Sequence, residues 1–524
     1  MNRPFATILL SLSFLTTFAQ QKHYPLREFR AAWITTVANI DWPSQRTASP
    51  GEQQQELVGL LNKFEQMHFN AVVMQVRPAA DAFYKSSYEP WSEYLTGKQG
   101  RAPSPFYDPL EFAIGECRKR NLEFHAWFNP FRAVANLKVS DVHPQHVSNR
   151  YPHWFFTYGG KKYFNPGVPE ARNFIIEVIM EVVKNYDIDA VHFDDYFYPY
   201  KINGENIDDE AAFRRYGQGL GRADWRRQNV NLFIQALSDS ILVHKPHVKF
   251  GISPVGAWRN QSEDPRGSAT RVGQPAYDYL YADIRKWLEE GWIDYVAPQL
   301  YWSTASRFGS YGVLTDWWHR NSFGKHVYTG NAIFKIGESE DDKTWLHPAE
   351  FSRQMRINSN YPAIKGAIFF STKSLLKNPL GLQDTLRQNF FRQKALVPPM
   401  PWKDPVPPNP PRDLKASIQA EGNFLEWQSP EAASDGDSAS YYLVYRFENE
   451  FKVNLQDTDA LLKVQRERTF LDKEAALVPK RYVYVVVAVD KMHNESEDYA
   501  FLAFSAFAEE RRLTNGSPIK EDKD

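Results

Sequence analysis

Between Phe29 and Lys394 the sequence alternates short apolar runs with longer stretches whose apolar residues recur at every third or fourth position, and that alternation leaves few folds open. Eight such runs can be counted: FRAAWITT, NAVVMQVRP, EFHAWFNP, DAVHFDDYF, VKFGISPVG, DYVAPQLYW, HVYTGNAIF and GAIFFSTKSL. Each is rich in β-branched and aromatic residues, as strands are. Helices are predicted between them, over GEQQQELVGLLNKFEQMH, DPLEFAIGECRKRN, PEARNFIIEVIMEVVKNY and NVNLFIQALSDSILVHK. Eight strands joined by helices predict an α/β chain folded as a (β/α)8 TIM barrel. The rival, an open doubly wound sheet, lacks its Gly-rich G-x-G-x-x-G turn after the first strand.

The chain has 524 residues, more than one ordinary domain needs. At its start, Asn2 and Arg3 precede the apolar FATILLSLSFLTTFA, with small residues at a plausible cleavage point, so 1–19 reads as a signal peptide. The stretch is too short to span a bilayer comfortably, and no transmembrane segment is expected. The expectation is export to the periplasm or the cell exterior. The barrel is assigned 20–395. The proline-dense VPPMPWKDPVPPNPPRD then predicts a stiff extended linker, 396–411. From 412 to 506 strand runs such as SYYLVYRF and RYVYVVVAVD recur without long helices, predicting a small all-β sandwich. The order of Pro-rich entry, Trp427, YYLVYR and YVYVVVAVD resembles a fibronectin type III domain. Residues 507–524 read as a charged tail.

Lys and Arg number 62 against 63 Asp and Glu, so no basic field exists to hold nucleic acid. A neutral polymer suits the chain better, and its 15 Trp and 27 Tyr could stack on the C–H faces of sugars or simply fill a large core. With one cysteine, Cys117, there is no disulfide framework and no Cys-based metal site. The spaced His143, His146 and His153 lack a matching carboxylate, so neither metal nor cofactor is expected.

In barrels of this class the chemistry sits at the C-terminal strand ends. Those positions carry Asp41, Trp42, Arg77, Asp81, Asn129, Arg132, Asp194, Asp195, Tyr196, Ser253, Trp258, Gln299, Tyr301, Trp302, Asn331 and Ser371. Such amide, carboxyl, guanidinium and aromatic groups fit a polyhydroxyl ligand better than a phosphate ester. The adjacent Asp194 and Asp195 stand out, because paired carboxylates are the usual equipment for cleaving a glycosidic bond. Strand alternation would turn them to opposite faces unless the strand ends between them. Two solutions stay open. One member could act with a distant carboxylate, Asp41, Asp81, Asp264 or Asp341. Alternatively both could face one side and serve a substrate that attacks itself through a 2-acetamido oxygen. A third, plainer reading has Asp195 capping a helix or pairing with an Arg. His192 could order Asp194 or be a core residue; Tyr196, Tyr198 and Tyr200 could wall the cleft, and Trp317 and Trp318 could line subsites.

The motifs REFRAAWITTVANIDWPS, NAVVMQVRP, FHAWFNPFR, HFDDYFYPY, GISPVGAWRN and PQLYWS together resemble the glycoside-hydrolase-like family 10 domain, a (β/α)8 group of secreted bacterial proteins, from about Arg27 to Phe391. The resemblance implies glycan cleavage, with Asp194 and Asp195 as the acidic centre and Arg77, Asn129, Arg132, Gln299 and Trp302 as ligand contacts; Tyr196, Tyr301 and Asn331 join them from the strand ends. At least one member of that group is associated with peptide-free peptidoglycan strands, though as a lipoprotein, and this chain has no cysteine at the cleavage point. The expected partner is therefore a glycan polymer containing N-acetylhexosamine, with Asp195 as acid and Asp194 orienting the acetamide. A non-catalytic glycan-binding protein, or a hydrolase of dietary or host polysaccharide, are the alternatives.

Overall fold

The computed structural model describes residues 24–338, 342–477 and 480–505, so the signal peptide, the whole charged tail and Asp341 lie outside the described residues. Eight parallel strands close a barrel: β1 (Phe29–Ile34), β2 (Ala71–Arg77), β3 (Glu123–Phe128), β7 (Ala190–Phe193), β8 (Lys249–Ile252), β9 (Tyr295–Val296), β10 (His326–Asn331) and β11 (Ile364–Phe369). Seven of them fall inside runs predicted from sequence, and β11 overlaps the eighth, starting two residues ahead of it at Ile364. The intervening short β4 (Arg132–Val134), β5 (Phe155–Tyr158) and β6 (Lys161–Phe164) form a separate antiparallel sheet on the excursion after β3.

Alternation along each strand sorts the barrel into two cores. Phe29, Ala31, Trp33, Ala71, Val73, Trp127, Ala190, Tyr295, Tyr328 and Ile368 fill the lumen. Their neighbours Ala32, Ile34, Val72, Met74, Phe128, Val191 and Phe193 pack outward against the helices. The lumen is crowded: a Cβ at Gly251 would fall about 1.9 Å from the Tyr295 ring, so β8 must be bare there. The helices follow local rules. Pro50–Gln66 opens on a Ser49–Glu52 capping box and turns Leu57, Leu61 and Phe64 inward.

Seven further strands, β12 (Arg412–Gln419), β13 (Gly422–Gln428), β14 (Tyr441–Phe447), β15 (Leu461–Gln465), β16 (Thr469–Asp472), β17 (Arg481–Val489) and β18 (Ala500–Ser505), make a three-stranded and a four-stranded antiparallel sheet. Leu425 and Trp427 of one sheet share a core with Val444, Tyr484 and Val486 of the other. The two sheets therefore pack face to face.

The segment before β12 is not a free spacer. Val397 and Met400, with Met492 from beyond β17, close the bottom of the lumen, and Trp402 and Lys403 bond Asp294 at 3.1 and 3.0 Å. The sheets thus dock at the end where strands begin. Glu123, first residue of β3, is buried between Lys249 of β8 and His493, whose Nε2 lies 2.5 Å from Glu123 Oε1. Burial alone would raise the Glu123 carboxyl, yet Lys249 and His493 hold it well below the usual range. Among the described residues no helix is long and apolar enough to cross a membrane.

Candidate active site

At the opposite end, where the strands finish, the lumen continues into a cavity of about 320 Å3. Strand parity builds its floor. Trp33, Gln75, Trp127, Asp194, Gln299 and Phe370 each lie two or more residues beyond a lumen-facing residue of the same strand, and all line the cavity. Asp195 has the wrong parity, but β7 ends at Phe193, so alternation no longer governs it and it also faces the cavity. Strand termination is what brings the adjacent pair to one side.

Each carboxylate is held by its own donors. Asn129 Nδ2 donates to Asp194 Oδ2 at 2.6 Å, and the Tyr196 backbone N–H to Oδ1 at 3.3 Å. Tyr200 Oη donates to Asp195 Oδ2, and Gln299 Nε2 to Oδ1 at 3.1 Å. Burial, then the charge of Asp195, pushes Asp194 up to about 7. Burial also raises Asp195, against the donors Tyr200 and Gln299. Two buried like charges cannot both ionise easily, so the pair retains a proton close to neutral pH. Among the described residues Asp195 neither caps a helix nor pairs with an Arg.

The distant carboxylates are engaged elsewhere. Asp41 accepts from the backbone N–H groups of Thr35 and Lys373. Asp81 is buried against Gln99, its carboxyl raised to about 7 by burial, and Asp264 is paired with Arg266 and Arg259. None of these three lines the cavity; among the described residues Asp194 and Asp195 are its only carboxylates.

Arg132, Tyr196, Gln299 and Tyr301 line the cavity, as does Tyr200. Arg132 heads β4, and its guanidinium lies 4.6 Å from the centre of the Tyr196 ring. Four other expected contacts are corrected. Arg77 follows a bulge in β2 that shifts it onto the outward parity; it is fully buried, paired with Glu89 at 2.5 Å, and donates to the Asn129 carbonyl. Asn129 lies beneath the floor and acts on Asp194. Asn331 has the outward parity of β10 and donates to Tyr311 and Gln354. Trp302 is half-buried against Gly256 and Gly309, outside the cavity wall. Tyr198 is buried away from the cavity, and Trp317 and Trp318 are core, their indoles donating to the carbonyls of Arg266 and Gly256. His192 takes a bond from Trp33 and meets Tyr295 at 3.0 Å, well inside the lumen.

Trp33, Gln75 and Trp127 escaped the sequence reading, which scanned beyond the strand ends. The signal was present, since each continues the lumen-facing parity of its own strand. A larger cavity of about 680 Å3 opens beside this one, with Pro199 and Lys201 on its wall flanking Tyr200. Its ionic residues are largely paired, Arg222 and Arg226 with Asp209 and Asp278 with Arg259. The one acidic grouping close enough to share a cation among the described residues, Asp404, Asp435 and Asp437, is remote from both, in the C-terminal part.

Comparison with known proteins matches residues 28–347 to the family described as glycosyl hydrolase-like 10. The chain is 46% identical over 479 residues to glycosyl hydrolase YngK of Bacillus subtilis (strain 168), covering 90% of this chain and 92% of that one. It is 38% identical over 381 residues to glycosyl hydrolase DigH of Escherichia coli (strain K12), covering 68% and 85%. Among solved structures, the PgaB (BpsB) glycoside hydrolase domain from Bordetella bronchiseptica aligns with a TM-score of 0.46 at 12% identity, over 69% of this chain and 98% of that one.

Proposed function

The chain belongs to the glycosyl hydrolase-like 10 family, and we propose that it is an exported glycoside hydrolase acting on a polymer that contains N-acetylhexosamine, such as peptide-free peptidoglycan strands. The observation that carries this reading is the adjacent carboxylate pair: both members line one cavity, no third described carboxylate does, and together they keep a proton. A retaining enzyme with its own nucleophile needs carboxyls on opposite sides of the bond, about 5 Å apart, and an inverting one needs them farther still. Neighbours on one side suit a substrate that supplies its own nucleophile.

In the proposed reaction the acetamide oxygen attacks the anomeric carbon while the glycosidic C–O bond breaks. Asp195 gives its proton to the departing oxygen, and Asp194 accepts the acetamide N–H, stabilising the charge that develops on the ring formed. Water then opens that ring, returning a proton to Asp195. Binding itself prepares the acid: an amide N–H donated to Asp194 stabilises its anion, so the shared proton moves to Asp195. The neighbouring larger cavity offers room for the next sugars of a polymer. We read residues 412–506 as a fibronectin type III-like brace rather than part of this cleft.

The test incubates the protein, Asp194→Asn and Asp195→Asn with peptide-free glycan strands and chromatographs the products. Loss of turnover in both variants, about 100-fold or more, is expected. On aryl N-acetylhexosaminides with good leaving groups, Asp195→Asn recovers its first step and Asp194→Asn does not. Binding by all three proteins without cleavage, across a panel including dietary and host glycans, would reduce the cavity to a glycan-binding site.

A further inference from the structure

Fifteen buried side-chain polar atoms among the described residues make no hydrogen bond of good geometry within the protein, and five of them line this one cavity: Gln75 Nε2, Arg132 Nε and Ser253 Oγ, together with Thr35 Oγ1 and Trp127 Nε1, which lie near the carboxylates of Asp41 and Asp194. All five residues are more than nine-tenths buried. Buried polar groups are normally paired, so their concentration at one place marks where a ligand's polar atoms fit. Three of the five are N–H groups that can only donate, and the two hydroxyls can donate or accept.

Gln75 is the most constrained. Its Oε1 accepts from the backbone N–H groups of Thr36 at 3.1 Å and Val37 at 2.8 Å, which fixes the amide so that Nε2 is the atom left for the cavity. No flip can turn an acceptor inward without stranding both backbone donors. The cavity's charges also balance, since Arg132 offsets a carboxylate pair that holds one proton. Its volume of about 320 Å3 is at the lower end for ligand sites and suits one sugar ring.

We infer that Gln75 is a specificity-determining residue, whose fixed N–H2 group reads an acceptor oxygen of a neutral sugar ring held over Asp194 and Asp195. This rests on the glycan reading of the cavity, but its test does not require turnover. Gln75→Glu keeps the oxygen that Thr36 and Val37 need and replaces the donor with an acceptor. Binding of N-acetylglucosamine oligomers is followed at pH 8 by the fluorescence of Trp33 and Trp127, with the melting temperature as a check on folding.

The expected result is a variant that folds as the parent does and binds about 10- to 100-fold more weakly. One monodeoxy oligomer should bind parent and variant alike, identifying the oxygen read. A folded variant that binds within twofold of the parent overturns the inference. So does a parent that prefers an oligosaccharide carrying a carboxylate over every neutral one. If the parent binds neutral oligomers without cleaving them, hydrolysis falls while the role of Gln75 stands.

Discussion

Asp194 and Asp195 repel each other, and their site makes that repulsion useful by burying both. The consequence is measurable as stability. Asp194 is raised from its ordinary 3.8 to about 7, so the folded protein holds a proton that the unfolded chain releases near pH 4. Folding stability therefore falls on this account as pH rises from about 4 to about 7. Asp194→Asn should leave stability nearly unchanged at pH 4 and raise it on the order of 2–4 kcal/mol at pH 8, as read by urea denaturation at both values. Catalysis has the same sign, and kcat should decline above about pH 7 as the shared proton is lost. That two acids stand side by side at the end of a strand was legible in the sequence. Their common orientation was not, because it depends on β7 ending at Phe193.

Among the elements, β2 and its bulge show how one extra residue redistributes roles. Gln75 keeps the lumen parity and reaches the cavity; Arg77, two residues on, is turned outward into a buried pair with Glu89. A guanidinium there supports the loop after β3 through the Asn129 and Pro130 carbonyls. Arg77→Met should therefore cost about 3–5 kcal/mol of stability by stranding a buried carboxylate. KM should stay near that of the parent, since no ligand contact is removed; denaturation and steady-state kinetics on one sample check both. The eight strands were legible because each is a short apolar run with its own boundary signals. The bulge was not, since nothing in VVMQVR marks where register shifts.

For the whole molecule, the decisive arrangement is that the candidate site and the docked C-terminal part occupy opposite ends of the barrel. The cavity lies where strands end, and the proline-dense segment and C-terminal sheets seal where they begin, around Glu123, Lys249 and His493. Glu123→Ala would leave Lys249 and His493 buried without their anion and should destabilise the protein by about 3–5 kcal/mol. Oligomer affinity of the folded fraction should not change, and titration alongside urea denaturation separates the two effects. Sequence alone determined the barrel, the all-β C-terminal part, the family and the acidic pair, because periodicity and short motifs are properties of neighbouring residues. Only the tertiary structure decided which strand-end residues share a cavity, that Gln75 and Trp127 belong to it while Asn331 and Trp302 do not, and that the C-terminal sheets close the floor. Those outcomes depend on where strands stop, where register slips and which distant segments meet, and such contacts form between residues hundreds of positions apart, as between Glu123 and His493.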